Sequence, residues 1–389
     1  MICMISCIGK VNYTRNFGIL TTIAACGFDV ASIAPGSLDG TERSSGITHY
    51  ALSLPSANFW YDAGFGNTLR AIVQRARNVV ALIRKVEQVR PEMLLCSEPD
   101  AWFVAILMKL RYGCKVIVDL QEVYEDRALA FPKPLQGVVR RLLRNAMRVL
   151  SSRTDEVIHV SQERQDIYNY LHKRGLVIGS YPELKLFPSP TEKSADVHTG
   201  LVQVIHAGAL RPTYASQQLL DAMRIVADAA PQVRFVVLGG VAGKLENEKL
   251  IGSLTEKGVL EFIEQVPFSD VIRWLYSSDI GINLVLPIDT AHRLAAPQKL
   301  YEYFAASLPV VVADVPTLRR TVTQHRCGVV VDPLSPQSIA DGIIALAQNQ
   351  EIRREQGQNG RLAAESEYNW ESQARKLCGL IATLYDRSS

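Results

Sequence analysis

Short runs of β-branched and aliphatic residues recur along the chain, each followed by a longer stretch whose apolar positions fall three and four apart. In the first half the runs Ile2 to Ile8, Val30 to Ala34, Met93 to Cys96, Lys115 to Asp119 and Glu156 to Val160 predict strands. The stretches Thr68 to Gln88, Ala101 to Leu110 and Leu135 to Ser151 predict helices between them. The runs are apolar throughout rather than alternating, so their strands should be buried on both faces, in parallel sheets covered by helices. A second series starts afresh with Val202 to His206, Arg234 to Leu238, Val259 to Phe262, Ile280 to Leu284, Val310 to Ala313 and Val329 to Val331. Between the two series, Leu186 to Gly200 is polar and proline-bearing with no apolar period, the composition of an exposed linker. The chain thus reads as α/β twice over. Two doubly wound domains facing each other would leave a cleft at the carboxyl ends of their strands, where ligands bind in such sheets.

Composition narrows the class. Hydrophobic residues make up 48% and charged residues 21% of 389 residues, which excludes a disordered chain and a single small binding module. The longest nearly unbroken apolar stretch, Ala101 to Met108, is far short of the ~20 residues of a membrane-spanning helix. The N-terminus is apolar but lacks the basic flank and cleavage site of a signal peptide, and reads as a buried first strand of a cytoplasmic protein. Seven cysteines, scattered and without a CxxC pair, are expected to be reduced core thiols. A net charge of +3 does not call for nucleic acid. Locally, however, Lys133, Arg140, Arg141, Arg144, Arg148 and Arg153 share a window without an acidic residue.

Two phosphate-loop patterns fail on inspection. Gly64-Phe-Gly66 opens like a dinucleotide fingerprint, but Arg70 or nothing stands for the third glycine and no strand runs into it. Gly239-Gly240-Val-Ala-Gly243-Lys244 follows a strand, yet the outer glycines are one residue too close and Leu245 stands where a P-loop needs a hydroxyl for magnesium. No Asp-x-Asp pair stands at a strand end to hold a divalent metal, so no metal is expected. What remains is a pair of glycine turns at strand ends, one at Gly208 and one at Gly239-Gly240. There backbone N–H groups can approach phosphate oxygens while Arg211 or Lys244 supplies countercharge. A third anion site falls at a helix start: Pro297 suits the first turn, Lys299 adds a full positive charge, and Glu302 can accept two ribose hydroxyls.

The segment from Pro297 through Gln298-Lys299-Leu300-Tyr-Glu302 to Pro309 resembles the donor-site helix of the family-four retaining glycosyltransferases of the GT-B fold, also called glycosyl transferases group 1. Val266-Pro267-Phe268 and the helix after it resemble that family's base-recognition loop, Cys327 to Pro333 its next turn, and Trp370 the opening of its closing helix. The resemblance implies two Rossmann-like domains: 1–187 binding the acceptor and 195–368 binding the donor, with a final helix over 369–389 packing back on the first. It implies transfer of a sugar from a nucleoside diphosphate sugar to a saccharide or lipid-linked acceptor, with retention, in cell-surface polysaccharide biosynthesis. No other cofactor is needed. Arg211, Lys299 and Glu302 would carry catalysis, largely by stabilising charge on the leaving diphosphate. Gly208, Gly239, Gly240, Lys244, Val266, Pro267, Phe268, Pro297, Gln298 and Leu300 would bind the donor. On the acceptor side Gly9, Arg15, Glu98, Asp119, Gln121 and Glu122 stand at strand ends or in loops.

The chain also departs from the family's pattern. Leu294 stands eight residues before Glu302, where the family commonly has a first glutamate, with Asp289 the nearest acidic substitute. Ala209 and Tyr214 stand where it carries Arg and Lys, which leaves Arg211 as the stand-in, and Gln121 stands where many members have a histidine. These departures keep open a catalytically silent glycosyltransferase-like subunit that binds a partner enzyme. A sugar-nucleotide epimerase is a further alternative within the fold. The segment 135–151 interleaves apolar and basic positions at helical spacing, which suits either an anionic membrane surface or a half-buried helix with a solvated basic face.

Overall fold

The strands β1 (Ile2–Ile5), β2 (Val30–Pro35), β3 (Thr48–Leu52), β4 (Met93–Cys96), β5 (Lys115–Leu120), β6 (Glu156–His159) and β7 (Leu176–Val177) form one parallel sheet in the order β3-β2-β1-β4-β5-β6-β7. The computed structural model describes residues 1–6, 14–35, 46–52, 65–188, 200–243, 248–264 and 266–386. Residues 7 and 8 of the first predicted strand lie outside them. Every residue of β1, β2 and β4 is buried, as continuous apolar runs require of strands covered on both faces. The helices Phe65–Val89, Pro99–Tyr112 and Lys133–Ser151 connect strands of this sheet. Trp102 anchors the second of them in the core, and its indole N–H donates to Thr154 Oγ1 at 2.7 Å.

A second parallel sheet comprises β8 (Val202–Ala207), β9 (Val233–Leu238), β10 (Leu260–Ile263), β11 (Ile280–Asn283), β12 (Val310–Ala313) and β13 (Gly328–Val331), in the order β10-β9-β8-β11-β12-β13. Both sheets follow the doubly wound order, with the strand order reversing beside the first strand of each. The two Rossmann-like units define a GT-B fold.

The chain divides at Gly179 and Ser180, and again at Ser372 and Gln373, so one unit holds residues 1–179 and 373–389 and the other 180–372. The division does not fall in the proline-bearing stretch. Most of that stretch lies outside the described residues, and the segment just before it already belongs to the second unit. Phe187 is buried in that unit's core, and Tyr181 packs edge-on against Tyr301 and Tyr368. The closing helix, Trp370–Asp386, runs into the first unit, where Tyr385 stacks on Phe28 and donates to Glu92.

The cysteines need a correction. Cys3, Cys96, Cys114 and Cys327 are buried thiols, but Cys26 and Cys378 form a disulfide across a sequence separation of 352. Their pairing comes from the closing helix lying against the end of the helix Thr14–Ala25. Cys7 lies outside the described residues.

Candidate functional site

In the second unit the turns after β8 and β9 are laced together by backbone bonds. Gly208 N donates to Leu238 O at 2.7 Å, Leu210 N to Gly240 O at 2.9 Å, and Ala242 N to Leu210 O at 2.8 Å. At Gly239 the backbone takes φ +116° and the turns are so close that a Cβ would lie 3.0 Å from Ala209 N, so only glycine fits. A pocket of about 380 Å³ opens beside these turns, lined by the Gly208 and Gly239 turns together with Val266, Phe268, Lys299 and Glu302. It sits at the carboxyl ends of β8 and β9, next to the strand where the chain order reverses.

The helix Gln298–Ala305 delivers the charged side chains. Pro297 is its N-cap residue rather than a first-turn residue, and no side chain caps it. The amides of Gln298 and Lys299 precede the first bond of the turn, Leu300 N to Pro297 O at 3.1 Å, and stay open to an anion. Tyr303 fixes the helix to the sheet: its hydroxyl receives the Ala207 amide at 2.9 Å and donates to Ile282 O at 3.1 Å. Its ring occupies the space that a Cβ on Gly281 would need, 2.6 Å away. The glycine in β11 therefore lets the helix approach closely enough to place Lys299 and Glu302 at the pocket.

Lys299 is half-buried, with its ammonium 5.4 Å from the centre of the Tyr214 ring. Burial pulls its pKa down to about 8, against a smaller upward pull from Glu302. Glu302 is buried and accepts from Gln298 Nε2 at 2.9 Å. Burial raises its pKa to about 7, opposed by the Gln298 bond and the Lys299 charge. Burial thus pushes a carboxyl and an ammonium of the same pocket toward their neutral forms. A diphosphate beside Lys299 and hydroxyl donors on Glu302 would restore both charges.

Several predicted residues lie elsewhere. Arg211 is exposed and does not line the pocket, because its amide bonds to Ser216 Oγ at 2.8 Å and the chain turns away at Pro212–Tyr214. Leu300 is fully buried in the core, with its amide bonded to Pro297. Asp289 caps the short helix Thr290–Arg293, accepting from the His292 amide and ring at 2.7 Å each, so it does not replace the acid missing at Leu294. Pro267 is the N-cap residue of the helix Phe268–Tyr276 and Gly240 takes φ +66°, and neither is among the residues that line the pocket. Lys244 and Gly9 lie outside the described residues. Sequence reasoning missed Glu264 and Val271, which also line the pocket; no local motif marks either.

In the first unit, Arg15 and Asp119 form a buried two-point ion pair, Nε to Oδ2 at 2.9 Å and Nη2 to Oδ1 at 2.8 Å. Gln121 Nε2 joins it, donating to Asp119 Oδ2 at 2.8 Å and to Asn16 Oδ1 at 2.6 Å. Glu98 accepts from Ser6 Oγ at 2.8 Å, at the end of β4. Glu122 is exposed, 3.9 Å from Arg127. Arg15, Asp119 and Gln121 form one network, while Glu122 stands apart.

Two family models match the chain: glycosyl transferases group 1 over residues 191–363 and a glycosyl transferase 4-like domain over residues 17–170. Together the two matches span most of the chain, one on each unit, and both are to glycosyltransferase models. It is 23% identical over 241 residues to D-inositol 3-phosphate glycosyltransferase of Corynebacterium glutamicum, covering 57% of this chain and 56% of that protein. The chain therefore spans about half the length of the curated relatives it matches. Among solved structures it resembles sucrose-phosphate synthase of Thermosynechococcus elongatus, with a TM-score of 0.74, 17% identity and 99% of each chain covered. It also resembles HepE of Anabaena in complex with UDP-glucose, with a TM-score of 0.70, 15% identity, and 98% and 99% of the two chains covered.

Proposed function

We propose that the protein transfers a sugar from a nucleoside diphosphate sugar to a saccharide or lipid-linked acceptor in cell-surface polysaccharide biosynthesis, with retention of configuration. The observation that carries this reading is the pocket itself, where two glycine turns, an uncapped helix start, Lys299 and Glu302 converge. The turns and helix start offer backbone N–H groups to a diphosphate, Lys299 a full charge, and Glu302 an acceptor for ribose hydroxyls. Charge grows on the leaving diphosphate as the sugar bond breaks, and these groups stabilise it without a protein nucleophile. The test is a thermal-shift titration with nucleoside diphosphates, repeated in Lys299→Ala and Glu302→Ala. A nucleotide at ~100 times its dissociation constant should add about 2.7 kcal/mol to wild-type stability and much less to either variant. Absence of stabilisation by any nucleotide would overturn the donor-site reading.

The two shifted groups also set a pH profile. Nucleotide affinity should rise as Glu302 ionises near pH 7 and fall as Lys299 loses its proton near pH 8, giving a narrow bell. In Glu302→Gln the acid limb should flatten while the alkaline limb remains, which calorimetric titration across pH 6–9 would reveal.

On the acceptor side, the helix Lys133–Ser151 supports a seat on an anionic membrane surface at the inner face of the cell membrane. Its exposed Leu135, Val138, Leu142 and Val149 form one stripe beside the basic residues Arg141 and Arg148. A silent-subunit reading is favoured by Leu294, by the commitment of Asp289 to capping and by the exposure of Arg211. Nucleotide binding without turnover would distinguish it.

A further inference from the structure

The pocket carries an acidic group that the donor-site reading has not used. Glu264 follows β10 directly and lines the pocket together with Val266, Phe268 and Val271. Its place is fixed by the sheet, since Gly239 N donates to Ile263 O at 2.8 Å, which sets the residue after β10 beside the second glycine turn. In the strand order, β10 lies at the edge beyond β9, while the helix bearing Lys299 and Glu302 leads into β12 on the other side of β8. The pocket is therefore graded: an apolar wall with one carboxylate at the β10 end, the glycine turns between, and the cation at the far end. A diphosphate held by Lys299 and the turns leaves its base at the apolar end, beside Glu264.

A carboxylate accepts hydrogen bonds and donates none. Among the common bases, guanine is the one whose pairing edge presents two adjacent donors, N1–H and the N2 amino group, and these match the two oxygens of a carboxylate. Uracil presents one N–H flanked by two carbonyl oxygens, which would face the carboxylate lone pair to lone pair. Adenine and cytosine each offer a single amino donor beside a ring-nitrogen acceptor. We infer that Glu264 selects guanine, and that the donor is a guanosine diphosphate sugar; the inference rests on the donor-pocket reading above. The closing contact would be a two-point, charge-assisted pair covered by the stacked base, a geometry worth about ten- to a hundredfold in discrimination between bases.

The test measures dissociation constants of GDP, UDP, ADP and CDP by titration calorimetry for the full chain, for Glu264→Gln and for Lys299→Ala. Glu264 is exposed, so the glutamine variant should keep the wild-type melting temperature, checked in parallel. The expected result is GDP binding at least tenfold tighter than the other three. Glu264→Gln should weaken GDP about tenfold while leaving UDP unchanged or tighter, and Lys299→Ala should weaken all four together. Tighter binding of UDP by the wild type, or an equal loss for every base in Glu264→Gln, would overturn the guanine assignment while leaving the donor pocket standing. Failure of all four to bind the wild type would overturn both.

Discussion

Replacing Lys299 with methionine should lower kcat/KM for the donor by about 10²–10³-fold, the usual cost of removing one group that stabilises developing charge. The same change should leave the melting temperature of the empty protein unchanged or slightly higher. The fold holds this ammonium half-buried, where burial pulls its pKa down to about 8, so removing the charge relieves a desolvation penalty. Glu302, whose carboxyl burial has raised to about 7, takes up a proton at little cost when its neighbour goes. Methionine also gives up the ammonium's contact with the Tyr214 ring, 5.4 Å away, a small loss set against that relief. Paired measurements of donor kinetics and thermal midpoint therefore separate a binding group from a structural one. Loss of stability in step with loss of activity would mean that Lys299 holds the fold rather than the diphosphate. An unchanged kcat/KM would remove it from the site.

That lysine was legible in the sequence because its chemistry is local. A proline at a helix start, a cation within the first turn and an acid three residues later form the pattern of a candidate anion site over six residues, and no long-range contact is needed to recognise it. The buried strands were legible for a similar reason: runs such as Val310–Ala313 and Met93–Cys96 are apolar throughout and match the observed strands end to end. Where the signal is weaker the reading fails. The edge strand Thr48–Leu52 is half-exposed, polar and mixed, and Leu176–Val177 is two residues long, so neither rises above the turns around it. The division between the units was set too late in the chain because proline content marks exposure, whereas the packing of Tyr181 and Phe187 decides to which core the segment belongs. Glu264 and the Cys26–Cys378 pair depend on distant segments brought together by the sheets and by the closing helix, and spacing along the chain carries no trace of either. Arg211 shows the opposite error. A charged residue beside a glycine turn had the right type and place in sequence, yet the turn at Pro212–Tyr214 leaves its side chain exposed and outside the pocket lining.

Asp119→Ala should destabilise the first unit by about 3–5 kcal/mol, because it leaves the buried guanidinium of Arg15 without its two-point partner. Both side chains are more than nine-tenths buried, at 7% and 2% exposure, so water cannot replace the lost carboxylate at the surface. Gln121 loses a bond at the same time, since its amide donates to Asp119 as well as to Asn16. Asp119→Asn keeps the shape and one acceptor oxygen but removes the charge, and should fall between wild type and alanine. The paired replacement Arg15→Met with Asp119→Leu removes both charges together and should cost less than Asp119→Ala alone, since a buried charge that has lost its two-point partner is worse than none. Urea unfolding of the four proteins gives the ordering directly. If the double variant proved less stable than Asp119→Ala, the pair would be acting through shape rather than charge. If Asp119→Ala were neutral, Arg15 would have found another partner. The pair spans 104 residues of chain, joining the first helix to the end of β5. The network, at the carboxyl end of β5, holds Arg15, Asp119 and Gln121 in fixed positions relative to one another.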